Sequence, residues 1–371
     1  MRKFALLSLL LCWTISRICA QNDLREITLL FAGDVMGHTE QIKSAEIKAN
    51  ELYDYTPCFE YVKPIVSKAD IAIANLELTL PGKPPYTGYP TFKSPDELAL
   101  ALRDAGFDLL VTANNHSNDA GKEGVISTLN AISRYNFLHT GTFRDAAEKE
   151  MYYPLIVYKN DFKLAFLNYT YDTNGIPTRP PTMVNLIDEK AMRADIEAAK
   201  RLKPDFIIVV MHWGLEYQLQ ESEEQRRLAA KLFDWGADLI IGAHPHVVQP
   251  IMEKKYFKNG KERTGLVASS LGNYISNQNK LHTDGGIMVE VKLQKRLSAN
   301  ETILTDHAFY PVWRYIEKKP GGKKTYRILP ASKVEKDDEK ALKLPAADEA
   351  AFKKFMQNLR AHLAKSNGRE G

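Results

Sequence analysis

The sequence predicts an α/β fold, and three observations predict it. Short β-branched apolar runs alternate with amphipathic helical stretches. The runs are nearly continuous in apolar residues, as strands covered on both faces tend to be. Several end directly in a polar cluster, the place where α/β sheets bind ligands. The composition admits such a fold: 371 residues, 44% hydrophobic and 26% charged. Mean hydropathy is −0.33. That balance excludes a collagen-like, low-complexity or largely disordered chain.

The expected strands, in order, are Ile27–Ala32, Ile71–Ala74, Phe107–Thr112, Leu164–Asn168, Phe206–Met211, Leu239–Ile241, Leu266–Ser269 and Ile287–Val291. Helix signals lie between them. Ser94 reads as an N-cap with Pro95 at the first helical position, and Leu98, Leu102 and Ala105 follow on one face. Gly121–Tyr135 carries Val125, Ile126, Leu129 and Ile132 at helical spacing. Ser222-Glu223-Glu224-Gln225 reads as a capping box ahead of Leu228, Leu232 and Trp235. Two loops are long, Pro81–Pro90 and Thr170–Asn185, and loops of that length in a compact domain often carry function. After about Tyr315 the chain turns basic and charge-dense, then ends in an amphipathic helix marked by Phe352, Phe355, Met356, Leu359 and Leu363. Its expected role is to pack on the domain.

The formal charge of +4 is inflated at the N-terminus, where residues 1–20 hold Arg2, Lys3 and Arg17 and no acid. The remaining 47 basic side chains against 46 acidic leave +1. A near-neutral body has no electrostatic footprint for nucleic acid. Residues 1–20 read as a signal peptide: a charged Arg2-Lys3, an apolar Phe4–Trp13 too short to span a bilayer, and Ala20 as the cleavage residue. Export follows as the expectation, with a lipid anchor on Cys12 or Cys19 ranked below it. Cleavage leaves Cys58 alone, a buried hydrophobe rather than a disulfide partner or nucleophile. The expected organisation is a signal peptide over 1–20, a main domain over 21–315 and a charged extension over 316–371.

The strand ends carry the chemistry. Asp34 follows the first run. Asn75 and Glu77 follow the second, and Asn114-Asn115-His116 the third. His212 follows the fifth, His244-Pro245-His246 the sixth, and Asn273 the seventh. Singly each has a bland explanation: a lone Asp after a strand is most often a turn former, and a lone His a satisfied one. Two imidazoles flanking a proline after an apolar strand are more specific. Imidazole, carboxylate and amide donors together suit Zn, Fe or Mn better than Ca or Mg, and without available thiolates a structural zinc is disfavoured. No G-x-S-x-G elbow and no GxGxxG after the first strand occur.

In that order, "FAGDVM", "ANLELTL", "FKSPDELALALRDAGFDLLVTANNHSNDAG", "NYTYDTNGIP", "MHWGLEY", "GAHPHVVQP" and "SLGNYISNQ" resemble segments of CapA/PgsA-like proteins, the poly-γ-glutamate capsule biosynthesis proteins of bacteria. The likeness covers roughly Ile27 to Val291. That family is similar to the calcineurin-like metallophosphoesterases. The resemblance implies a four-layer α-β-β-α sandwich with a dinuclear metal site at the strand ends. Carried over residue by residue, Asp34, Glu77, Asn115, His212, His244 and His246 become metal ligands, with Glu77 standing for the bridging aspartate. His116 becomes the catalytic group facing substrate. Asn114 and Asn273 would orient ligands or substrate, and Tyr171 and Arg179 would rim the pocket. Met36 departs from the pattern, since metallophosphoesterases usually place a histidine two residues after the first aspartate. One or two divalent transition metal ions (Mn, Fe or Zn) are the implied cofactors. The implied partners are an anionic polymer or phosphoester substrate and membrane-bound capsule synthesis proteins. Three functions stay open: an exported capsule-synthesis protein with a metal-dependent phosphoesterase-like site, a secreted phosphoesterase, and a non-catalytic polyglutamate-binding or transport module.

Overall fold

The computed structural model describes residues 23–47, 52–258, 260–336 and 341–371. The leader reading falls outside them. The strands of three residues or more, in chain order, are β1 (Leu24–Val35), β2 (Ile71–Leu76), β3 (Leu109–Val111), β4 (Leu138–Thr140), β5 (Leu155–Lys159), β6 (Phe162–Thr170), β7 (Phe206–His212), β8 (Leu239–Ala243), β9 (Ile251–Lys258), β10 (Lys261–Ala268), β11 (Asn273–Ile275), β12 (Gly285–Arg296), β13 (Glu301–Lys318) and β14 (Lys324–Pro330). The helices of at least nine residues are α1 (Glu97–Ala105), α2 (Gly121–Arg134), α3 (Glu189–Arg201), α4 (Glu223–Trp235) and α5 (Ala346–Leu363).

Two sheets form. The first runs β14-β13-β12-β1-β2-β3-β4, with β11 beside β1. Its β1, β2, β3 and β4 are mutually parallel, while β12, β13 and β14 add antiparallel. The second runs β9-β10-β8-β7-β6-β5, with β6, β7, β8 and β10 parallel. Alternation along the strands explains the layering. Leu29 and Phe31 of β1 face inward with Ile73 and Val111, and meet Phe166, Ile208, Val210 and Ile241 of the other sheet. Leu30 and Ala32 point the opposite way, with Ala72 and Ala74, onto Leu98 and Leu102 of α1 and Ile132 of α2. On the far side Leu167, Val209 and Ile240 meet Met192 and Ile196 of α3 and Leu228 and Leu232 of α4. The result is helix, sheet, sheet, helix: the four-layer α-β-β-α sandwich.

The C-terminal segment is built into this body. β13 runs without a break through Lys318 and pairs with β14. Phe352, Phe355, Met356, Leu359 and Leu363 of α5 join the core between the sheets. Cys58 is buried, and burial pushes its thiol up to about 12, so it packs and does not react. One expected cap is absent. The helix expected from Ser94 begins at Glu97, and the buried Ser94 hydroxyl makes no hydrogen bond. The capping box at Ser222 is present in full, with Gln225 N donating to Ser222 Oγ and Ser222 N donating to Gln225 Oε1. Among the described residues no helix is long and apolar enough to cross a membrane.

Candidate metal centre

Each polar cluster reaches the site because a strand ends there. β1 carries Asp34 through a bulge: its register against β2 slips between Ala32 and Asp34. Only glycine fits the preceding position, because a Cβ on Gly33 would stand 2.0 Å from Gly272 O. Asp34 therefore sits inside the strand, past the point where the apolar run ends, opposite Asn273 of β11. β2 supplies Asn75, with Glu77 just beyond it, and β3 leads into Asn115 and His116. In the second sheet His212 closes β7, and β8 leads into His244 and His246. Both of those histidines hold left-handed backbone, φ 98° and 59°. Non-glycine residues rarely accept this, and such strain gathers at functional sites.

Asp34, Glu77, Asn115, His212, His244 and His246 come together, all buried. Donor atoms of Asp34, Glu77 and His246 lie within 4.8 Å of one another, and so do those of Glu77, His212 and His244. Glu77 belongs to both groups, the position of a bridging carboxylate. Asp34 Oδ1 accepts from Asn75 Nδ2 at 2.8 Å, and Asp34 Oδ2 is 3.1 Å from His246 Nδ1. His212 Nδ1 is 3.2 Å from Asn75 Nδ2, and its Nε2 is 2.8 Å from Asn115 Oδ1.

The electrostatics fit a cation. Both oxygens of Glu77 are buried without a hydrogen bond, as is His244 Nδ1. A buried, unpartnered carboxylate is expensive. Burial first, then the charges of Asp34 and Glu216, hold the Glu77 carboxyl well above its usual range. Burial, then the neighbouring imidazoles, depress His212 far below its usual value and His244 to about 3. The imidazoles are thus neutral, the form that ligates. Buried carboxylates, an amide oxygen and neutral imidazoles on opposed strand ends are a donor set that a divalent transition metal suits.

A cavity of about 460 Å³ opens on this cluster, lined among others by Met36, His38, Phe92, His116, Tyr217 and His246. His116 Nδ1 is 2.7 Å from Asp119 Oδ2, and its ring meets Phe92 edge-on at 4.5 Å. The Tyr171 ring, 43% exposed, lies 4.5 Å from that of His244, beside the ligand cluster but not among the cavity's lining residues. Arg179 is exposed near Glu123 and is not among the cavity's lining residues. Asn114 and Asn273 do not reach the cavity either. Asn114 Nδ2 donates to Leu76 O, and Asn273 Nδ2 donates to Thr283 O and Gln278 Oε1. Their hydrogen bonds tie together the segments that carry the ligand residues. His38 lines the cavity but is tied up as the cap of a short helix, its Nδ1 3.0 Å from Gln41 Oε1. Asn75, expected only as a neighbour of Glu77, stands between Asp34 and His212. Two members escaped the sequence reading as site residues. Asp119 fixes His116. Glu216 has donor atoms within 4.8 Å of those of His244 and His246. Asp119 and Glu216 lie three residues after His116 and four after His212, and that spacing was the available signal.

Two facing sheets with helices outside, and acids, amides and imidazoles at their strand ends, define a four-layer α-β-β-α sandwich with a candidate metal centre at its strand ends. In fold the chain is similar to the calcineurin-like phosphoesterase YfkN from Bacillus subtilis, at 13% identity and TM-score 0.48, covering 91% of this chain and 99% of that one. Residues 28–278 match the family described as bacterial capsule synthesis protein PGA_cap, and the chain belongs to that family. It is 30% identical over 288 residues to the PGA biosynthesis protein CapA of Bacillus subtilis, covering 71% of this chain and 67% of that protein. It is 28% identical over 286 residues to the capsule biosynthesis protein CapA of Bacillus anthracis, covering 72% of this chain and 64% of that one. The chain thus spans about two thirds of the length of the curated relatives it matches.

Proposed function

We propose that this chain is an exported component of poly-γ-glutamate capsule synthesis that acts on an anionic ester or polymer at a metal-dependent, hydrolase-like centre. The observation that carries the reading is Glu77: buried, unpartnered, and shared by two groups of potential ligands. Asp34, Glu77, Asn115, His212, His244 and His246 would hold the cations. When bound, divalent cations neutralise an anionic centre and lower the pKa of an attached water. His116, fixed through Nδ1 by Asp119, lines the cavity and would give a proton to a leaving oxygen or stabilise its charge. Lys280 stands 3.6 Å over the Tyr217 ring at the mouth and supplies positive charge for an incoming anion. Export rests on the N-terminal leader pattern, and fractionation of cells producing the full chain tests it.

A second reading has its own support. Met36, an apolar thioether, occupies the cavity wall where the resemblance would place an imidazole, which favours binding without turnover. One experiment separates the two. The purified chain is analysed for bound Mn, Fe and Zn, then assayed for bis-p-nitrophenyl phosphate cleavage and for poly-γ-glutamate binding. Bound metal with chelator-sensitive cleavage supports the hydrolase. Polymer binding without cleavage supports the binding module. A chain that takes up no metal, with His212→Ala and His244→Ala no different from it, refutes the centre.

A further inference from the structure

We propose that Glu216 is a further cation ligand of this centre, the third carboxylate of the set and the one that closes it on the solvent side. The inference rests on the metal reading above and assigns a residue that the resemblance does not. Its donor atoms and those of His244 and His246 all lie within 4.8 Å of one another. Those histidines belong to the two different ligand groups that share Glu77. Glu216 therefore stands beside one imidazole from each group.

An exposed glutamate near two histidines is ordinarily a mobile surface group. Glu216 is not, because the protein invests buried amides in holding its loop. Tyr217 N donates to Pro245 O at 2.8 Å, which locks the segment to the turn between His244 and His246. Gln249 Nε2 donates to Gln218 O at 2.9 Å and Gln220 O at 3.2 Å. Gln225 Nε2 donates in turn to Gln249 Oε1 at 2.8 Å, and both glutamines are buried. At the loop's start, Gly214 has φ 89°, and a Cβ there would sit 2.6 Å from Gln225 Oε1. Tyr217 itself holds φ 66°. Three left-handed non-glycine residues, Tyr217, His244 and His246, thus lie on two segments tied face to face. That concentration of strain is retained where geometry is over-determined by the surroundings.

The charges point the same way. Among the described residues Glu216 forms no ion pair with a lysine or arginine, and Lys280 stands over the Tyr217 ring instead. Asp34, Glu77 and Glu216 place three carboxylates around one set of imidazoles. Without a cation they only repel, and Glu216 is among the charges that burden Glu77. With Met36 in the wall, the group of Asp34, Glu77 and His246 is left short of nitrogen donors. Glu216 would add an oxygen donor beside His246, the residue its group shares with that one.

The test is Mn²⁺ binding to the full chain after chelator treatment, read as free Mn²⁺ by electron paramagnetic resonance and as the melting-temperature gain on adding Mn²⁺. Glu216→Gln keeps size and hydrogen bonding but removes the charge. It should weaken the weaker-bound Mn²⁺ by about ten-fold or more, and shrink the Mn²⁺-induced gain in melting temperature. Its melting temperature in chelator should be no lower than that of the unsubstituted chain, since the side chain is exposed and its charge burdens Glu77 when no cation is bound. Glu216→Asp should retain part of the binding. Glu223→Gln, which removes an equally exposed charge at the start of α4 outside the cavity lining, should bind as the unsubstituted chain does. Unchanged Mn²⁺ affinity in Glu216→Gln overturns the proposal while leaving the metal centre standing, and so does an equal loss in Glu223→Gln. A wild-type chain that binds no Mn²⁺ removes the metal centre, and this assignment with it.

Discussion

A glutamate with both oxygens buried and unpartnered is a poor choice for stability, and Glu77 is such a residue. Natural proteins retain such groups where function requires them, at the expense of the fold. The sign of the effect can be measured. Glu77→Gln removes an acid whose ionised form the buried site disfavours, so above the ordinary carboxyl range of pH it should melt in chelator at a higher temperature than the unsubstituted chain. In metal it should lose the advantage, because the bridging position is gone. Thermal denaturation with and without Mn²⁺ gives both numbers. A variant that melts lower in chelator would show that Glu77 serves the fold itself, and the cation argument would lose its main support. The same logic separates Glu77 from Asp34, whose oxygens are already engaged by Asn75 and His246.

At the scale of the element, the site depends on where strands stop or bulge. Gly33→Ala tests this directly. The added Cβ would sit 2.0 Å from Gly272 O, so β1 and the segment leading to β11 must separate, and Asp34 moves with them. The expected outcome is a loss of about 1–3 kcal/mol in chelator, with weaker metal uptake, read by denaturant melts and metal analysis. A variant with unchanged melting and metal content would show that the bulge does not position Asp34. Strand ends were also what the sequence showed best. Runs such as Phe206–Met211 are apolar throughout because helices and the facing sheet cover both sides, and the polar residue after each run is conspicuous. The Ser222–Gln225 capping box was legible for the same local reason. β9, β13 and β14 were not. They are antiparallel strands at or near the sheet edges: β9 and the start of β13 are half-solvated and rich in charge, as in the Glu253-Lys254-Lys255 stretch of β9, and β14 sets Lys324 and Arg327 among buried residues. β4 and β5, short and at sheet edges, were missed as well. Glu216 was hidden because an exposed glutamate looks alike in any loop, and only the pairing of its loop with the His244–His246 turn distinguishes it. Ser94 looked like a cap, but the chain makes one more turn before α1 begins.

At the scale of the molecule, the centre draws Asp34, Glu77 and Asn115 from one sheet and His212, His244 and His246 from the other. Its geometry holds only while the sheets keep their stacking. The C-terminal tail maintains that stacking. α5 sends Phe352, Phe355, Met356, Leu359 and Leu363 into the core between the sheets. Beyond it, Asn367 N donates to Ile251 O of β9 at 2.7 Å, while Arg369–Glu370 pairs with β13. The tail thus bonds to both sheets. Arg360 adds contacts to Glu335 and Glu370. Burying one such apolar side chain contributes about 1.5–3 kcal/mol. Five together contribute on the order of 10 kcal/mol, comparable with the whole net stability of a typical domain, about 5–15 kcal/mol. A chain ending at Lys336 should therefore fail to melt cooperatively, expose apolar surface to a hydrophobic dye and bind no Mn²⁺. Phe352→Ala is the graded version: the ring is buried and edge-on to Trp313 at 5.7 Å, so about 3–5 kcal/mol should be lost. Metal uptake should persist in that variant at temperatures where it stays folded. If the shortened chain instead melts cooperatively and takes up Mn²⁺ as the full chain does, the tail is an appendage and the sheets hold their register without it.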